Sequence, residues 1–78
     1  MWTKEKEIIK TILNKYNIPF HLVNNRVYIY FKYVSGRTVE INLNLQKQQY
    51  SIGICTASNI NIHEHKIIHE IFEQLGWL

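Results

Sequence analysis

Apolar residues recur along this chain in two rhythms: steps of three and four near both ends, and strict alternation in between. Near the start, Trp2, Ile8, Ile9, Ile12, Leu13 and Tyr16 fall on one stripe at about 100° per residue. That spacing predicts an amphipathic helix with Thr3 as its N-cap. It should end near Asn17, because Pro19 disfavours helical geometry at Ile18. Near the end, Ile67, Ile68, Ile71, Phe72 and Leu75 repeat the stripe; Asn61 and Glu64 have capping-box spacing before it, and Gly76 suits the stop after it.

The middle of the chain holds four runs that alternate with period two, and the turns between them can be tested against that alternation. A two-residue Asn24-Asn25 turn sets Phe20 beside Ile29, Leu22 beside Val27 and Val23 beside Arg26. A two-residue Ser35-Gly36 turn would set apolar residues against polar ones on both faces. A three-residue loop, Val34 to Gly36 with Gly36 left-handed, gives Phe31 opposite Val39 and Ile29 opposite Ile41; moving the loop one residue on keeps the faces matched and sets Lys32 opposite Glu40. For the last hairpin, a loop of Gln46 to Gln49 brings Leu45 to Tyr50, Leu43 to Ile52 and Ile41 to Ile54.

The expected fold is therefore α+β, a single domain of order α-β-β-β-β-α, with an antiparallel four-stranded meander and both helices packed on one face. The inner sheet face should carry Phe20, Leu22, Val27, Ile29, Phe31, Tyr33, Val39, Ile41, Leu43, Leu45, Tyr50, Ile52 and Ile54. The outer face should carry His21, Val23, Arg26, Tyr28, Tyr30, Lys32, Thr38, Glu40, Asn42, Asn44, Ser51, Gly53 and Cys55, with no segment left over to cover it.

Composition narrows the function classes. At 78 residues the chain has room for one core, and folding should bury about 60 to 65% of the unfolded surface. No apolar run approaches membrane-span length, and the N-terminus alternates charge with apolar residues, so a cytoplasmic protein without a secretory signal or membrane partner is expected. The lone Cys55 excludes an internal disulfide. A net charge of +3 falls short of the clustered basic patch of a dedicated nucleic-acid binder. Ile, Asn and Lys supply 13, 8 and 7 residues while Asp is absent, a bias toward AT-rich codons that suggests a low-GC bacterium, its phages or an archaeal virus.

Candidate chemistry is sparse. His65 and His69, four apart on the second helix, could share one metal ion with Glu73 a turn further on, but His63 belongs to the opposite edge of the stripe and the zincin spacing is missed. No nucleophilic triad can be built without Asp, and three scattered glycines make no phosphate loop. No catalytic residue, metal or cofactor is therefore expected. Lys4, Lys6, Lys10 and Lys15 on helix one flank its stripe alternately with Glu5 and Glu7, as on a solvated face. The outer sheet face differs: Arg26, Tyr28, Tyr30 and Lys32 lie along one strand, beside Asn42 and Asn44 on the next, and aromatic rings among bases and amides can anchor a partner.

The helix, strands, helix order resembles the double-stranded-RNA-binding fold in topology alone. That family has three strands between its helices and a lysine cluster opening the second helix, whereas Asn61 to Lys66 here offers one lysine and one glutamate. The expectation is a small non-enzymatic protein acting by protein contact or self-association, such as a phage or mobile-element inhibitor or adaptor of the anti-defence type. The alternative is a nucleic-acid-binding module that uses the open sheet face or basic helix one.

Overall fold

The computed structural model describes residues 2–56 and 59–78. Helix α1 (Thr3–Lys15) is followed by strands β1 (Phe20–Val23), β2 (Arg26–Lys32), β3 (Thr38–Asn44) and β4 (Gln49–Cys55), and helix α2 (Ile62–Leu75) closes the chain. The strands form one antiparallel sheet in sequence order, the meander expected from the alternation. Ile9, Ile12 and Leu13 of α1 and Ile67, Ile68 and Ile71 of α2 share a single buried cluster with Val27, Ile29 and Phe31 of β2 and Val39, Ile41 and Leu43 of β3. Both helices thus cover the same face. They run antiparallel: α1 starts with Trp2 and Lys6 beside the Asn24-Asn25 turn, while α2 starts with Glu64 bonded to Tyr33 and Arg37 at the opposite end of the sheet.

The helix ends show local chemistry at work. Asn61 Oδ1 accepts the Glu64 N–H at 2.8 Å and Glu64 Oε1 accepts the Asn61 N–H at 2.9 Å, the expected capping box. At the other end of α2, left-handed Gly76 lets the Trp77 N–H reach the Phe72 carbonyl, and the two rings meet edge to face at 5.1 Å. The α1 exit repeats the motif with left-handed Asn17, where the Ile18 N–H bonds the Leu13 carbonyl. The α1 entry departs from expectation. Trp2, not Thr3, is the N-cap, and its carbonyl accepts the Lys6 N–H, so Thr3 already lies in the first turn and makes no cap bond. Trp2 packs against the core, and burying an indole outweighs a hydroxyl cap worth about 1 kcal/mol.

The first two hairpins take the expected registers: Phe20 faces Ile29, and Phe31 faces Val39 across a loop that turns at left-handed Gly36. The shifted alternative, Lys32 opposite Glu40, is not adopted, since Lys32 faces Thr38. The third hairpin is corrected. Its loop is Leu45 to Gln48 rather than Gln46 to Gln49, so Tyr50 faces Leu43 and Ile52 faces Ile41. Leu45 leaves the strand to bond the Asn25 carbonyl through its N–H and buries its side chain in the core. Beyond Ile52 the pairing slips by one residue: Glu40 faces Ile54, and Gly53 is the extra residue of a bulge. Ile54, expected inside, therefore joins the outer face opposite Glu40, and Cys55, expected outside, turns inward opposite Val39 and packs against the core. Tyr50 and Ile52 keep the inner side, but the helices do not bury them: they remain 37% and 47% exposed.

Candidate binding face and the buried carboxylate

The four-stranded pairing lines up the outer side chains in rows across the sheet. One row runs His21, Tyr28, Asn42, Ser51, the next Val23, Arg26, Asn44, Gln49, and on the other side Tyr30 lies beside Glu40 and Ile54. All six residues singled out from the sequence share this surface: Arg26 and Lys32 are exposed, while Tyr28, Tyr30, Asn42 and Asn44 are half-buried among their neighbours. The register refines their relations. Tyr28 stands opposite Asn42, Arg26 opposite Asn44, and Tyr30 opposite the Glu40 carboxylate rather than an amide. Arg26 and Lys47 flank a shallow polar depression with Asn42, Asn44, Gln49 and Ser51. Gly53 belongs to this surface too, because a Cβ there would come within 2.3 Å of Glu40 Oε2; its bare backbone leaves room for that carboxylate. Among the described residues, Asn42 Oδ1 is buried without a hydrogen-bond partner.

The histidines are spread over both sides of the molecule. His65 and His69 sit one turn apart on α2, both exposed, with ring centroids 6.5 Å apart. His21 stands on the outer face of the sheet, which the helices do not touch. Among the described residues, no group of three or more His, Cys, Asp or Glu side chains could hold a metal ion.

A second cluster was not read from the sequence. Glu64 is fully buried, and its carboxylate accepts hydrogen bonds from the Tyr33 hydroxyl at 2.6 Å, Arg37 Nη2 at 2.9 Å, Arg37 Nε at 3.2 Å and the Asn61 N–H. Arg37 Nη2 also reaches the Asn59 carbonyl at 2.7 Å. Burial works to raise the Glu64 pKa, but the donors from Arg37, Tyr33 and Asn61, with the Arg37 charge, more than offset it and hold the carboxyl below its usual value. Burial and the neighbouring carboxylate push the Tyr33 hydroxyl up. Every carboxylate oxygen is thus engaged, leaving no free lone pair aimed at a substrate, so the arrangement ties the start of α2 to the β2–β3 turn. Alternation held the missing signal: Arg37 has the parity of Val39 and Ile41 and so points inward, as Tyr33 does.

Glu70 makes a comparable tie between the helices, accepting from Lys15 Nζ and the Tyr16 hydroxyl, each at 2.5 Å. The Lys15 bond, then the Tyr16 bond, lower its pKa. No described helix is long and apolar enough to cross a membrane. Compared with known protein families, curated proteins and solved structures, the chain matches none.

Proposed function

We propose that this chain is a non-enzymatic binding module that meets a protein partner through the uncovered face of its sheet. The observation that carries the reading is the surface itself, where Tyr28 and Tyr30 stand between Arg26 and Lys32 with Asn42 and Glu40 across from them, while both helices occupy the other side. Half-buried tyrosines offer rigid contact area at low entropy cost, and the amides and charges around them can fix orientation. Glu40 at the centre of the patch suits the mixed charges of a protein surface better than a phosphate backbone, which would be repelled there. Size and composition support an inhibitor or adaptor of a phage or other mobile element as the setting.

The test uses the tagged chain to capture partners from nuclease-treated lysate, followed by affinity measurements with the purified partner. Tyr28→Ala combined with Tyr30→Ala should weaken binding by at least about tenfold, as loss of aromatic anchors does. Lys6→Ala combined with Lys10→Ala, on the helical side, should leave it unchanged. Normal binding by the tyrosine variant with failure of the lysine variant would move the working surface to the helices. Capture that disappears with nuclease, or falls steeply as salt rises, would assign the nucleic-acid alternative instead.

A further inference from the structure

The sheet treats its two edges differently. Strand β1 has four residues and is entered from Pro19, and short, proline-flanked edges resist pairing with other chains. Strand β4 has seven residues, QYSIGIC, with no charge and no proline among them. Along it Tyr50, Ile52 and Ile54 are 37%, 47% and 56% exposed. An open strand edge presents backbone donors and acceptors whose natural complement is another extended strand.

We propose that two copies of this chain pair through β4, antiparallel about a two-fold axis at Ser51, joining two four-stranded sheets into one. A two-fold axis keeps each residue on its own face of the joint sheet, so only self-matching registers qualify. Centred on Ser51, Tyr50 of each copy meets Ile52 of the other on the helix side, while Ser51 meets Ser51 and Gln49 meets Gly53 on the outer side. Centring on Ile52 instead would set Tyr50 against Ile54, which the Gly53 bulge has turned to the opposite face. The bulge thus selects the register and ends the ladder. Because β4 is uncharged, pairing brings no like charges together along the strand, although each chain carries +3. Both β4 edges are consumed and only the guarded β1 edges remain, so assembly stops at two copies. The pairing lies in the plane of the sheet and leaves Tyr28 and Tyr30 uncovered, so it stands or falls independently of the partner-binding surface.

Analytical ultracentrifugation over a concentration series tests the pairing: the wild type should approach twice its 9.4 kDa chain mass. Ile52→Lys, which places a charge on the seam, should weaken self-association by at least about tenfold. Ile62→Lys, on an isoleucine 74% exposed at the start of α2, should leave it unchanged. Cross-linking reads the register without relying on the lysine variant. In a Cys55→Ser background, Ser51→Cys should form a covalent dimer under mild oxidation, and Ser35→Cys, in the β2–β3 turn, should not. A wild type that stays monomeric, a dimer lost in Ile62→Lys but kept in Ile52→Lys, or equal cross-linking of the two cysteine variants would overturn the proposal.

Discussion

Ile41 and Asn42 are neighbours in β3 with opposite fates, which makes them the sharpest probe of register at the scale of single residues. Ile41 is fully buried between Ile29 and Ile52, whereas Asn42 faces outward between Tyr28 and Ser51, with its Oδ1 unpartnered. Ile41→Ala should cost about 2 to 5 kcal/mol, a large share of the stability of so small a domain. Asn42→Ala should change stability by no more than about 0.5 kcal/mol, because no hydrogen bond of its carbonyl is lost. Denaturant unfolding of the two variants checks the pair, and equal tolerance would mean that the strand faces are misassigned. Parity alone gives this contrast from the sequence. The same parity points Arg37 inward, but what it meets there, Glu64, lies 27 positions away and only the packing of α2 brings it near.

At the scale of elements, the two helices start differently despite sharing an apolar template. Helix α2 carries a complete capping box, so Asn61→Ala should cost about 1 kcal/mol. Helix α1 is capped at Trp2 without a side-chain bond, and the Thr3 side chain points into solvent, so Thr3→Ala should be close to neutral. Thermal melts of the two variants decide the matter; a Thr3→Ala penalty as large as that of Asn61→Ala would return the cap to Thr3. The strands teach a related lesson. A two-residue slip keeps every side chain on its face, so alternation could not separate the expected β3–β4 register from the observed one. Leu45 decided it by entering the core from the loop, and the Gly53 bulge then exchanged Ile54 with Cys55.

At the scale of the whole molecule, acid should loosen the ties that hold the helices in place. Glu64 and Glu70 both have pKa values below the roughly 4.3 of an unfolded glutamate, so their ionisation stabilises the folded state. That contribution is fully present above the unfolded value and is lost as pH falls through the lower folded values. Stability measured by denaturant unfolding should therefore drop as pH is lowered from about 5 to 3. In Arg37→Met the buried carboxylate keeps its desolvation but loses its main donor, which raises its pKa. Glu64's part of the acid dependence should then disappear or reverse, with the variant less stable than wild type at neutral pH and the gap narrowing in acid. A gap that widens in acid would show that Arg37 does not hold the Glu64 charge.

The sequence by itself determined the elements, their order and, for most of the chain, which side chains face the core, because periodicity and turn chemistry act over a few residues and need no distant contact. It also placed Arg26, Tyr28, Tyr30, Lys32, Asn42 and Asn44 on one surface, since alternation fixes the face of each. Tertiary structure decided what depends on how far the helices reach across the sheet. Two helices bury the inner face of β2 and β3, on which Val27, Ile29, Val39 and Leu43 sit, but they leave Tyr50 and Ile52 of β4 open at the edge. It also decided that Glu64 is a buried anion as well as a cap, because the Arg37 guanidinium and Tyr33 hydroxyl that make such burial tolerable arrive from the far side of the core.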